Sequence, residues 1–186
     1  MFIQTEQTPN PQTLKFLPGK VVMDEGTAFY QNISEAADSP LAQKLFDIDG
    51  VVGVFFGSDF ITITKKDESE WQILKPSVLG SIMDHFNSGD ATITKKVMKD
   101  NSTEINENDS ELVKQIKELL DTRVRPAVAM DGGDIIYDSY KDGIVYLQMQ
   151  GACSGCPSST ATLKMGIENM LKHYIPEVQE VRPIAE

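Results

Sequence analysis

The two cysteines of the chain stand three positions apart in "GACSGCPSS", residues 151–159, as Cys153 and Cys156. Paired thiols at this spacing suit a thiophilic metal or a dithiol–disulfide couple. Pro157 is a favoured first residue of a helix, so Cys156 is expected near exposed backbone N–H groups and the positive end of the helix dipole, where thiolate is favoured. Gly151 and Gly155 let the loop turn tightly enough to aim both sulfurs outward, and Ser154, Ser158 and Ser159 can donate hydrogen bonds to sulfur or cap the helix. The loop is half a metal site, because thiolate sites for zinc or an iron–sulfur cluster take four ligands.

The missing half has no source in the same chain. The two histidines are His85 and His173; His85 falls in the other half of the chain, and His173 lies about 24 Å along the helix that starts at the motif. The count leads to a second copy of the protein as supplier, with one cluster bridging two chains across a two-fold axis. Two ligands from each subunit can be replaced one at a time by incoming thiolates, which suits a carrier more than a permanent redox centre. Three other readings share the spacing. A thioredoxin-like dithiol oxidoreductase places its C-x-x-C between strand and helix, but only 30 residues follow Cys156, and that fold needs more sheet, another helix and a proline-bearing strand there. A structural zinc-binding module shared by two chains uses the same thiolates. A pair of unligated thiols in a surface turn is the plainest.

Around the motif, "DIIYDSYKDGIVYLQMQ" reads as two strands joined at "KDG". Leu163, Ile167, Met170, Leu171 and Tyr174 form a helical stripe ended by Pro176, so the cysteine loop joins a strand to a helix. Upstream, Leu112, Val113, Ile116, Leu119 and Leu120 recur at helical spacing after Asp109 and Ser110, either of which can cap the helix. In the first half, "GVVGVFFGSDFITITKK" reads as a hairpin, "TPNPQTLKFLPGK" enters a strand at Leu14–Leu17, and helices are expected after Ser39-Pro40 and after Pro76. Between the halves, "KVMKDNSTEINENDSE" has the composition of a solvated linker. The expectation is two small α+β domains: residues 1–96, a flexible linker 97–110, and residues 111–186.

The formal charge of −11 disfavours nucleic acid as a partner. No apolar run approaches the roughly 18 to 20 residues of a membrane span. The first residues lack the pattern of a secretory or transit leader, so a cytoplasmic protein is expected; a mature form from the mitochondrial matrix would read the same way.

"MDGGDI" at 130–135 followed by "GACSGCPSS" resembles the C-terminal domain of NifU-like proteins. "TPNPQTLKF" at 8–16, with "VFFGSDFITITK" at 54–65, resembles the N-terminal domain of the Nfu branch of that family. The resemblance implies a non-enzymatic scaffold or carrier whose cluster-binding cysteines are Cys153 and Cys156. It implies a 4Fe-4S cluster, one per homodimer in the count above, received from an upstream donor and passed to recipient apoproteins. These would include enzymes of lipoate synthesis and aconitase-type dehydratases.

Several other residues invite assignment. Gly132 and Gly133 suit a turn needing positive φ or close backbone approach. Asp131 and Asp134 beside them read as turn residues bonding their own backbone. Gly166 is expected to allow close packing of its helix on the sheet, and Arg123 and Arg125 fit a solvated helix end. Trp71 and Phe86 fit a core or a docking surface. The first domain, which has no cysteine, is assigned to recipient recognition.

Overall fold

The computed structural model describes residues 1–94, 104–155 and 157–184. The chain divides into two units, Met1–Met98 and Lys99–Glu186, each an α+β arrangement with its own sheet and core. Residue 156 therefore lies outside the described residues, as does the first part of the expected linker.

In the first unit, strands β1 (Gln4–Gln7), β2 (Thr13–Leu17), β3 (Ala28–Tyr30), β4 (Val51–Phe56) and β5 (Ile61–Lys65) form an antiparallel sheet of order β1-β2-β5-β4-β3. Leu14 opposes Ile63 and Phe16 opposes Ile61, while Val54 and Phe56 oppose the same two isoleucines from the other side. Directly opposed residues share a face, so these six apolar side chains meet the helices α1 (Pro40–Phe46) and α2 (Trp71–Ser88) through Leu41, Leu45, Val78 and Ile82. The other face is filled as well. Phe29, Phe55 and Phe60 contact one another edge-on or tilted, and the ammonium of Lys15 lies 4.8 Å from the Phe60 ring centroid. Apart from Val52, which is exposed, β4 is buried on both faces, which explains why "VVGVFF" is continuously apolar instead of alternating.

Ser39 caps α1, accepting from the Ala42 N–H at 3.1 Å, with Pro40 in the first turn as expected. Helix α2 begins at Trp71, one turn before the expected start, and carries Pro76 inside it. Its buried stripe of Leu74, Val78, Ile82 and His85 starts upstream of the proline. Pro76 is exposed, so the Gln72 carbonyl that loses its donor remains open to water, and burial of the stripe outweighs the lost bond. Trp71 and Phe86 are partly buried and pack against the core.

In the second unit, α3 (Glu111–Leu119), a π-helical turn at Leu120–Val124 and α4 (Arg125–Met130) make one helical run. Ser110, not Asp109, caps it, accepting from the Val113 N–H at 3.3 Å. The widened turn falls just before Pro126, which has no N–H to donate, and Ile116, Leu120, Val124 and Val128 stay on the core side. Strands β6 (Gly133–Lys141), β7 (Ile144–Gly151) and β8 (Glu180–Pro183) follow in that order. The β6–β7 hairpin turns at Asp142 and Gly143, with φ of 50° and 80°, the geometry that twist-matched two-residue turns require. β8 joins β7 in parallel, and parallel neighbours need a crossover; helix α5 (Pro157–Tyr174) supplies it.

The described end of the expected linker is folded onto this unit. Asp109 accepts from the Asn106 N–H at 2.9 Å and from the buried Lys117 ammonium at 2.8 Å, and that ammonium also donates to the Glu104 carbonyl at 2.9 Å.

Gly166 corrects an expectation. It lies on the exposed side of α5, with nothing within 4 Å of where a Cβ would stand, so it serves no close packing within this chain. Gly166→Ala should raise stability by about 0.5–1 kcal/mol, read as a higher urea midpoint by far-ultraviolet circular dichroism.

His85 is fully buried, and neither ring nitrogen has a hydrogen-bond partner among the described residues. Burial first and the Lys44 charge second hold its pKa below the ordinary 6.5, while Asp90 acts in the opposite sense. Below the ordinary value the unfolded chain takes up a proton that the folded chain refuses, so stability present above that pH is lost as pH falls toward the lowered folded value. The urea midpoint reported by Trp71, the single tryptophan, should drop between about pH 7.5 and about pH 5.5. His85→Leu should reduce that drop.

Candidate metal centre

The turn after β7 is set by β6. Gly133 pairs with Gly151 in the strand register, and Gly132, at φ of 84°, directs its carbonyl to the Ala152 N–H at 3.1 Å. Two further backbone bonds close the turn, Cys153 N–H to Gln150 carbonyl at 3.3 Å and Ser154 N–H to Gly151 carbonyl at 3.1 Å. The first turn of α5 holds it from the other side, where the Thr160 hydroxyl donates to the Cys153 carbonyl at 3.1 Å.

Gly133 gives the turn its room. A Cβ there would stand 2.6 Å from Cys153 Sγ, 2.7 Å from the Gln150 carbonyl oxygen and 3.0 Å from the Cys153 nitrogen, distances that side chains do not tolerate. Of the two possible reasons for the glycine pair, Gly132 shows the positive φ and Gly133 the close approach.

The thiol of Cys153 does not point outward as expected; the residue is 6% exposed and belongs to the core of the second unit. Burial pushes its pKa up to about 12, and the carboxylates of Asp131 and Asp134 add to the rise. In this geometry Cys153 is a thiol at neutral pH, so ligation of a metal releases a proton and strengthens with rising pH. Cys156 lies outside the described residues, as do the side chains of Ser158 and Ser159. Helix α5 does begin at Pro157.

Beside Cys153 opens a cleft of about 270 Å³ lined by Met149, Ser154, Gly155, Thr160, Pro183 and Ile184. The parallel pairing explains the last two: β8 ends on the same side as β7, and the Ile184 N–H bonds the Leu147 carbonyl at 2.9 Å. Ligand sites outside the carboxyl ends of parallel strands follow from this geometry. Cys153 thus offers a soft donor at the edge of a partly apolar cleft, a setting that fits a thiophilic metal. Among the described residues no three His, Cys, Asp or Glu side chains gather to hold an ion. His173 sits in the last turn of α5 against Tyr174, with ring centroids 5.0 Å apart, and His85 belongs to the first unit.

Sequence reasoning named Arg125 and Asp134 but missed their pairing. Arg125 is not at a solvated helix end: its Nε and Nη2 donate to the two carboxylate oxygens of Asp134, each at 2.9 Å, and Nη1 donates to Asp121 at 3.1 Å. Asp134 is 3% exposed and also accepts from the Ile135 N–H at 2.8 Å. The signal that was available was the spacing of an arginine on the helix and an aspartate beside the glycines; the long reach between them was not.

Residues 3–89 match the family described as scaffold protein Nfu/NifU N terminal, and residues 116–182 match the NifU-like domain. The chain belongs to the Nfu/NifU family. Among similar family members, the Arabidopsis thaliana protein named NifU-like protein 4, mitochondrial, is 55% identical over 184 residues, covering 97% of this chain and 65% of that protein. The Drosophila willistoni protein named NFU1 iron-sulfur cluster scaffold homolog, mitochondrial, is 54% identical over 185 residues, covering 99% of this chain and 64% of its own length. The chain thus spans just under two thirds of these Nfu/NifU relatives. A solution NMR structure of a NifU-like protein from Saccharomyces cerevisiae aligns with 52% of this chain and 87% of its own, at 29% identity and a TM-score of 0.47.

Gly133→Ala should destabilise the second unit by about 1–3 kcal/mol through overpacking, measured as a lowered urea midpoint for that unit. Any folded fraction should show Cys153 displaced, read as faster alkylation of its thiol.

Proposed function

We propose that this chain is an iron–sulfur cluster scaffold or carrier. It binds one 4Fe-4S cluster between two copies through Cys153 and Cys156 and passes it to recipient apoproteins. The observation that carries the reading is the turn that holds the first cysteine of the C-x-x-C at the strand-to-helix junction: Cys153 rests against Gly133 and lines a cleft, in a chain of the Nfu/NifU family. The relatives' names speak of iron–sulfur scaffolds and of mitochondria, which supports that role and a mitochondrial setting.

The ligand count gives the stoichiometry. Two cysteines per chain meet the four thiolates of a cubane only when two chains share it. Half-sites contributed by separate subunits release cargo without unfolding either subunit, as thiolates of a recipient displace them in turn. Burial of Cys153 sets a threshold for loading: the thiol has to lose its proton and come to the cleft, so the metal-free turn resists adventitious binding. The chain performs no catalysis in this role. The first domain, residues 1–96, with no cysteine of its own, recognises recipients, and the 97–110 segment, whose described end is folded onto the second unit, joins it to the cluster-binding domain, 111–186.

Anaerobic reconstitution with iron and sulfide should give a brown protein whose mass, under conditions that preserve the complex, corresponds to two chains and one cluster. Cys153→Ser and Cys156→Ser should each abolish it. A loaded monomer, or uptake of zinc alone, would overturn the proposal.

A further inference from the structure

We propose that Arg125 and Asp134 are positioning residues for the metal loop: their forked ion pair fixes the glycine shelf on which the Cys153 turn rests. The inference deepens the function proposed above and rests on Cys153 being a ligand.

The geometry ties the parts in a short chain of contacts. Asp134 is the residue after Gly133, and its carboxylate is held at both oxygens by one guanidinium. Arg125 opens α4, whose far end at Met130 leads through Asp131 into Gly132. The segment 125–134 is therefore closed at both ends, by the covalent chain and by the ion pair, into a frame. On that frame lie the two features that place Cys153: the Gly132 carbonyl that accepts from Ala152, and the space at Gly133 that admits Sγ. If Asp134 turns, Gly133 turns with it, and the backbone atoms 2.7–3.0 Å from its missing Cβ no longer fit.

Arginine is suited to this work where lysine is not. A planar fork fixes the carboxylate in orientation as well as distance, whereas an ammonium fixes distance alone. The third contact, from Nη1 to Asp121 at 3.1 Å, anchors the guanidinium to the π-helical turn. One cation therefore answers two carboxylates, one of them beside a site that has to accept thiolates and an anionic cluster. Positioning and charge compensation come from the same side chain.

Alkylation of Cys153 in the metal-free full-length chain, with Cys156 replaced by Ser, tests this without any cluster. Under native conditions Arg125→Met should label at least about tenfold faster than the parent, because the turn opens locally without global unfolding. Arg125→Lys, which keeps the charge and loses the fork, should fall between the two. Lys117→Met, which breaks the buried pair with Asp109 instead, should label at the parent rate, and urea midpoints identify any variant whose labelling only follows global stability. Loss of one partner of a buried pair can prevent folding; the double variant Arg125→Met with Asp134→Asn leaves only the exposed Asp121 without its cation and carries the same expectation. Parent-like labelling in the folded Met and Lys variants, or in the double variant, would overturn the positioning role. Separately, failure of the unsubstituted chain to take up a cluster would overturn the proposed function and leave the labelling result standing as a fact about the turn alone.

Discussion

The space above Gly133 is the constraint on which the second unit turns. A strand and the loop that follows its neighbour approach until no Cβ fits between them, and the sulfur of Cys153 stands 2.6 Å from where that atom would be. Packing at this density leaves the thiol little room to move. Everything nearby serves that contact: the register that pairs Gly133 with Gly151, the carbonyl of Gly132, the Thr160 hydroxyl and the bound carboxylate of Asp134. A thiol placed this way gains definition at the cost of access.

The two units solve burial differently. The first covers both faces of its sheet, with helices on one side and an aromatic row beneath Lys15 on the other. The second packs all its helices on one face, through Ile135, Tyr137, Val145, Leu147 and Val181, and keeps the end of its parallel pair for the cleft. Small sheets gain their stability from such packing, not from strand propensity. The unit that carries the thiol has tightly specified turns at both ends of its hairpin, Asp142-Gly143 at one and Gly132-Gly133 at the other.

Local chemistry was readable in the sequence and distant pairing was not. The cysteine pair, the helix starting at Pro157, the Ser39 cap and the β6–β7 turn follow from residues within a few positions of one another. β8 was missed because a four-residue edge strand in parallel register depends on a crossover of eighteen helical residues, and nothing in "EVRP" announces its partner. β1 and β3, which pair antiparallel, were missed because they too are short edge strands of three or four residues. Helix α2 was started too late because Pro76 was given more weight than the apolar stripe beginning at Leu74. Burial of Cys153 was misjudged because a glycine-rich loop reads as exposed, while its depth depends on Gly133, twenty residues upstream in sequence and adjacent only in the folded register.

The direction of β8 has a practical side. Because it runs with β7, the chain reaches the rim of the cleft at Pro183 and Ile184, two residues before the last of this sequence. A polyhistidine tail fused after it would add imidazoles, themselves metal ligands, on the side of the unit where Cys153 lines the cleft. Purification handles for metal studies of this protein belong at the other end.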